Sequence, residues 1–420
     1  MRHLESLNYF FLDLFMNSNK PLKVVMLNSS DSTGGAAIAC NRLINALKCE
    51  HGGVEVTLLV LNKSSNDNWV TQIGNRINFI LEKLFFLFLE KSKKERFAFS
   101  TARFGVDVST HPLILEADII HLHWINQGFL SLEGIQSLLQ LNKKLFWTFH
   151  DMWPMTGGCH HSYQCNNYKE ACGNCVSYLR NPKPNDLSNE IFNKKSTWLN
   201  RDKIKLVSPS IWMDKRISSS ALFRENKRFQ IPNTLDSQIF KPQEKTRTTD
   251  SIKILFAAVS IENYFKGFSL FLETLNSLNH PEKEIIIVIA GKVSEENLKS
   301  LSFKYELLGI INSEHKMASV YNSVDVFVST SMSESFSYTC LEAVFCGTPV
   351  IAYNTGEIPN FIKHKGNGYL VEEYSKKGFL EGFDWFFKNK IKQRSEAVDL
   401  SQYDFKTVSQ EMLKAYRSAS

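Results

Sequence analysis

Two glutamates, Glu334 and Glu342, stand with seven residues between them in the segment VDVFVSTSMSESFSYTCLEAVFCGTPVIAYNTGEIP, residues Val324 to Pro359. The pattern predicts a strand over Asp325–Val328, a polar loop over Ser329–Ser335 and a helix over Phe336–Phe345. Free backbone N–H groups at such a helix start, beyond a strand's carboxyl end, take an anionic phosphate without a side-chain cation. Glu342 follows Cys340 and Leu341 in an otherwise apolar run. A carboxylate buried there needs donors, and the vicinal hydroxyls of a ribose would supply them. The commoner fate of a single glutamate is to cap a helix or to pair with a lysine.

A second constellation is rich in sulfur. Cys159, Cys165, Cys172 and Cys175 fall within seventeen residues and end in a Cys-x-x-Cys turn, with His160 and His161 beside the first. Four thiols so spaced can close a tetrahedral structural zinc site, with either histidine as an alternate ligand, or they can stay reduced. Only Lys169 lies among them, too little positive charge for a nucleic-acid reader built on the cluster. Eight cysteines without a secretory signal point to a reducing compartment, so the expected location is cytoplasmic.

The scaffold that must hold these groups reads as alternating β and α. In the first half, strands are predicted at Val24–Leu27, Val54–Leu61, Asp118–His121 and Lys144–Phe149, with helices at Ala36–Leu47 and Leu132–Leu141. The series resumes with Lys205–Ser208, Phe229–Ile231, Lys253–Val259, Glu284–Ala290, Glu306–Leu308, Asp325–Val328 and Pro349–Tyr353. The change of series falls near Asn233–Asp250, a stretch of lysines and threonines with no apolar period. The fold class is therefore α/β, with two Rossmann-like doubly wound domains facing a central cleft. The expected boundaries are an extension at 1–21, a first domain at 22–205 with the cysteine-rich segment at 157–178, a second domain at 206–395, and a C-terminal helix at 396–420 returning to the first domain. A helix over Ile77–Glu90, with Phe85, Phe86 and Phe88, is expected to turn its broad apolar side to the core rather than to a membrane.

Composition supports this reading. At 420 residues, 43% hydrophobic and 22% charged, the chain can bury the cores of two or three domains. A net charge of +6 is too mild and too scattered to mark a nucleic-acid binder, but it suits anionic small molecules or an acidic membrane face. No run of eighteen apolar residues is present, which argues against a membrane-spanning helix.

The Glu334–Glu342 spacing, with Gly347-Thr348-Pro349-Val350 and the loop Gly356 to Pro359 after it, resembles the signature of retaining, GT-B-fold glycosyltransferases of family 4. The resemblance extends from about Lys23 to the end. It implies a transfer from a nucleoside diphosphate sugar in which the first glutamate meets the donor sugar or its phosphate and the second holds the ribose. Ser335, Phe336 and Ser337 at the helix start would share donor binding. Ser32-Thr33-Gly34-Gly35 resembles the family's glycine loop, which puts Gly34 and Gly35 at the donor. Lys266 in Tyr264-Phe265-Lys266-Gly267 matches the lysine that neutralises the diphosphate, and His150 in Trp147-Thr148-Phe149-His150-Asp151 would lie beside the transferred sugar. The catalytic set implied is His150, Lys266 and Glu334. One departure stands out: where family members place an arginine near that lysine, this chain has Ile261 and Phe265.

HDMWPMTGGCH and DIIHLHW further resemble the colanic-acid and exopolysaccharide subgroup, in which comparable cysteines recur and are structural. The resemblance implies a sugar acceptor that is an oligosaccharide or lipid-linked, peripheral contact with the cytoplasmic membrane face, no metal or other cofactor for the chemistry, and no nucleic acid. The competing readings are a non-catalytic sugar-nucleotide-binding module of a polysaccharide assembly and, with less weight, a sugar-nucleotide 2-epimerase.

Overall fold

The computed structural model describes residues 21–49, 53–93, 95–198, 203–243, 251–278, 283–389 and 398–418. Nearly all of the expected extension at 1–21 and the expected boundary at 395/396 lie outside them.

Seven parallel strands form the first sheet: β1 (Leu22–Ser30), β2 (Val54–Asn62), β3 (Val70–Gln72), β4 (Ile119–Leu122), β5 (Lys144–Thr148), β6 (Ile204–Ser208) and β7 (Arg228–Gln230), in the order β3-β2-β1-β4-β5-β6-β7. The second sheet has six, β8 (Ile252–Ser260), β9 (Ile285–Lys292), β10 (Lys304–Gly309), β11 (Val326–Ser329), β12 (Val350–Tyr353) and β13 (Gly368–Val371), in the order β10-β9-β8-β11-β12-β13. The central strands are nearly continuous apolar runs because helices cover both faces; Val24, Met26, Leu58 and Ile119 pack on one side of the first sheet, Val25, Leu27, Leu59 and Ile120 on the other. Each sheet reverses its strand order once, between β1 and β4 and between β8 and β11. Crevices for ligands open at the strand ends there.

The expected boundary at 205/206 falls inside β6. Both β6 and β7 hydrogen-bond into the first sheet, so the first domain runs through Gln230. The helix Phe405–Ser418 lies against the first domain's helix Gly35–Cys49, and its Val408, Met412 and Tyr416 share a core with Val24, Met26 and Ile44.

One expectation about packing fails. The helix Ile77–Leu87 buries only Glu82 and Phe86. Glu82 accepts hydrogen bonds from the N–H groups of Thr101 (2.5 Å) and Ala102 (2.7 Å) and from the Thr101 hydroxyl (2.8 Å), and Phe86 stacks on Phe99. Because the helix is anchored through its carboxylate, Ile77, Ile80 and Leu84 are left 59%, 52% and 52% exposed, and Phe88 just beyond is 75% exposed. Among the described residues, no helix is long and apolar enough to cross a membrane.

Candidate active site

The second domain contributes charge. After β8, Asn263 caps the short turn Tyr264–Lys266, and Gly267 takes a left-handed conformation, φ +67°. A β-carbon there would lie 2.1 Å from the Thr330 carbonyl oxygen, so only glycine lets the lysine loop sit against the end of β11. Gly356 plays the same part on the other side: its β-carbon would meet the Glu334 carbonyl oxygen at 2.1 Å. Between these close approaches, Lys266 Nζ donates to Glu334 Oε1 at 2.7 Å. Burial alone would push the Glu334 carboxyl up, but Lys266 and Ser331 hold it below its usual range. Burial likewise opposes the charge on Lys266, and Glu334 more than offsets it.

Glu342 lies on the helix Tyr338–Phe345 and is buried. Its donors come from protein. Arg42 Nη2, on the first domain's helix Gly35–Cys49, donates to Glu342 Oε1 at 2.7 Å, and the Tyr321 hydroxyl donates to Oε2 at 2.9 Å. Arg42 Nε also reaches Glu314 at 2.7 Å, and its guanidinium stacks on the Tyr338 ring, 4.4 Å from the centroid. Among the described residues, Arg42 Nη1 is buried with no hydrogen-bond partner, and so is the Ser337 hydroxyl at the helix start. Ser337 itself is left-handed, φ +72°. Phe336 packs its ring on Phe361 and Tyr403 in the second domain's core, which leaves its backbone as the part available to a ligand.

The first domain contributes neutral histidines. His121, at the end of β4, bonds the Tyr416 hydroxyl through Nδ1 (2.6 Å) and Thr148 through Nε2 (2.8 Å). Its ring packs 4.4 Å from that of His123, which in turn bonds His150 Nε2 through Nδ1 at 2.9 Å. Burial lowers all three, His121 to about 3 and His150 to about 4, so the stack is uncharged at neutral pH. His150 Nδ1 makes no hydrogen bond among the described residues. Beside it, Asp151 accepts from Trp124 Nε1 (2.6 Å) and from the backbone N–H of Trp153 (2.8 Å), and shares a 2.6 Å contact with His160 Nδ1.

The two walls meet at named contacts. Ser335 donates its hydroxyl to the His150 carbonyl at 2.8 Å, Glu357 accepts from the Ile211 N–H at 3.0 Å, and Phe265 stacks on Tyr163. The Ser335–His150 contact thus brings the predicted Ser335, and with it the neighbouring Glu334–Lys266 pair, to the predicted His150 across the domain boundary, while Ser337 is buried. Gly34 and Gly35 open the helix that carries Arg42 to Glu342, and a β-carbon on either would meet nothing within 4 Å. Ile261 is buried and Phe265 is an aromatic contact, so neither position supplies a cation.

The four thiols of the cysteine cluster come together, each near enough to others to feel their charge. Cys159, Cys165, Cys172 and Cys175 are free, and among the described residues no group of three or more His, Cys, Asp or Glu is arranged to hold a metal ion. Cys172 Sγ accepts from the Gly157 N–H, Cys165 is exposed, and His160 is occupied by Asp151 and Ser100. The segment is stiffened by Asp186, which accepts from the N–H groups of Cys175 and Ser188.

Sequence reasoning passed over Arg42 and Tyr321, and noticed His123 only as part of DIIHLHW. Arg42 carried a signal, a lone cation in the apolar helix AAIACNRLINAL; Tyr321 sits in a pattern that any core would show.

The order of both sheets and the cleft between them decide the architecture. The fold is GT-B. Solved structures sharing it over nearly the full length include a sucrose-phosphate synthase from Thermosynechococcus elongatus (TM-score 0.66, 15% identity, covering 94% of this chain and 98% of that one). The Anabaena protein HepE, solved in complex with UDP and glucose, gives 0.61 at 14% identity, covering 94% and 100%. Residues 237–403 match the family described as "Glycosyl transferases group 1". An uncharacterized glycosyltransferase of Haemophilus influenzae is 26% identical over 188 residues, 43% of this chain and 49% of that one. A D-inositol 3-phosphate glycosyltransferase of Paenarthrobacter aurescens is 27% identical over 210 residues, 45% and 51%. The chain spans about half the length of the curated relatives it matches.

Proposed function

We propose that this GT-B protein is a retaining glycosyltransferase of the family 4 type, moving a hexose from a nucleoside diphosphate sugar to an oligosaccharide or lipid-linked acceptor in exopolysaccharide, O-antigen or capsule synthesis. The observation that carries the reading is the Lys266–Glu334 pair, next to the Ser335 that bonds the His150 carbonyl across the domain boundary and followed at the right spacing by a buried Glu342. Lys266 and the N–H groups at the start of Tyr338–Phe345 would take the charge that develops on the departing diphosphate. His150 Nδ1 would meet a sugar hydroxyl, and the ribose hydroxyls would replace Arg42 or Tyr321 on Glu342. The acceptor then attacks from the face the leaving group vacates, a phosphate oxygen taking its proton, and no protein carboxylate acts as a covalent nucleophile. The exposed apolar face Ile77–Phe88, with Lys91 and Lys93 following, would lie on an anionic membrane surface.

The test is a thermal-shift series with UDP, GDP, ADP, CMP and their sugars, joined to NMR assignment of the product anomer. One nucleotide family should stabilise the protein by mass action, Glu342→Ala should abolish that shift, and the product should keep the donor's anomeric configuration. Stabilisation without any transfer would favour the non-catalytic module, for which the missing cation at Ile261 and Phe265 speaks.

A further inference from the structure

Beside the crevice, between the two domains, lies a cavity of about 560 Å³ walled by His161 to Gln164, Trp212, Lys215 and Arg216 of the first domain and by Met332, Ser333 and Tyr353 to Gly356 of the second. Its position is fixed by the site already described. Ser333 is the neighbour of Glu334, Gly356 packs on the Glu334 carbonyl, and Tyr163 stacks on Phe265 next to Lys266. Arg42 and Glu342 are not among the residues that line it. Lys266 and Glu334 do not line it either, but its His161 feels the charge of both, so the cavity lies beside the ion pair, where on the transferase reading a second substrate would approach. Its volume suits a sugar with its substituent.

Its charge is one-sided. Lys215 and Arg216 line it, His161 adds a ring nitrogen edge, and no aspartate or glutamate does. The carboxylates nearby are engaged elsewhere: Glu357 accepts from the Ile211 N–H and the Tyr403 hydroxyl, Glu334 holds Lys266, and Asp214 pairs with Arg228. Neither Lys215 nor Arg216 has an acidic partner among the described residues. Arg216 lies over the Trp212 ring, 4.8 Å from its centroid, with Nη1 on the Tyr168 hydroxyl, so its planar fork is held in place without being neutralised. Two uncompensated cations on one helix beside an aromatic face make a seat for an anion attached to a sugar ring.

We infer that this cavity binds the acceptor and selects one that carries an anionic group, a phosphate or a carboxylate, through Lys215 and Arg216. The inference rests on the transferase reading for the cavity's role, and on the cavity alone for its charge preference.

The experiment compares binding of three probes to the full chain by titration calorimetry: an octyl glucoside, the same glucoside bearing a 6-phosphate, and an octyl glucuronide. The thermal shift with UDP is recorded in parallel. The anionic probes should bind about tenfold more tightly than the neutral one, the worth of a charge-assisted contact. Lys215→Gln, at an exposed position that folding tolerates, should reduce that preference, and Lys215→Gln with Arg216→Gln should erase it while the UDP shift stays unchanged. A phosphate preference points to a phosphorylated or diphosphate-linked acceptor, and a carboxylate preference to a uronic acid. Equal binding of all three probes, no binding of any while UDP still stabilises, or loss of the UDP shift in Lys215→Gln each overturns the inference. Retained anionic preference with no nucleotide response overturns the transferase reading and leaves the anion site standing.

Discussion

The two walls of the crevice reach readiness by opposite physics. The wall from the second domain pairs its charged groups, Lys266 with Glu334 and Glu342 with Arg42, each at 2.7 Å; the first pair more than offsets burial, while burial still pushes the Glu342 carboxyl above its usual range despite Arg42 and Tyr321. The wall from the first domain keeps its groups neutral: burial strips the charge from His121, His123 and His150, and each ring is oriented by the next. The charged wall can meet a diphosphate at once. The neutral wall can meet sugar hydroxyls without attracting a counter-ion. Arg42 is the exception that joins them, a cation from the neutral side seated on a carboxylate of the charged side.

The charged wall should break most severely. Lys266→Ala removes the cation proposed to face the leaving group and is expected to lower kcat/KM by about a hundredfold or more, measured with the donor that the thermal-shift series identifies. Next in size is Arg42→Ala, which strands Glu342 with only Tyr321 for company. Chemical denaturation should show a loss of about 3 kcal/mol, recovered in part by adding Glu342→Gln, since a buried carboxylate deprived of its partner costs more than a neutral amide.

The neutral wall should respond to pH instead. His150 at about 4 and His121 at about 3 lie below the 6.5 of an unperturbed imidazole, so the unfolded chain binds more protons than the folded one in between. Their contribution to stability is complete above about pH 6.5 and falls as pH drops from 6.5 toward 4. Melting curves across that window should show the fall, and His121→Gln should make it shallower. The smallest effect on stability belongs to neither wall: Leu84→Glu, on the exposed face, should change the melting free energy by no more than about 0.5 kcal/mol. The same substitution should lower co-sedimentation with anionic vesicles, and unchanged sedimentation would remove that face from the membrane.

Most strands were legible because a parallel strand covered on both faces is a run of Val, Ile and Leu in any context, as in Ile285–Lys292. β3 and β13 were not, being short strands at the sheet edges with mixed burial. The helix Ile77–Leu87 misled because apolar residues imply a core only if something covers them. A single Glu82, held by the Thr101–Ala102 backbone, was enough to turn the face outward. For the cysteines, spacing permits a metal cage or four reduced thiols, and the side chains' other partners decide between them.

The sequence alone determined the doubly wound class, the glycines at 267 and 356 and the carboxylates at 334 and 342. These follow from local rules: apolar periods, turn chemistry and the spacing of charges along one segment. Only the tertiary structure decided that Glu342 pairs with Arg42, 300 residues earlier in the chain, that His123 orients His150, and that Lys215 and Arg216 face a cavity without acids. Each is a contact between elements far apart in the chain. Which side chains meet across a cleft depends on how two sheets are docked, and no local pattern records that.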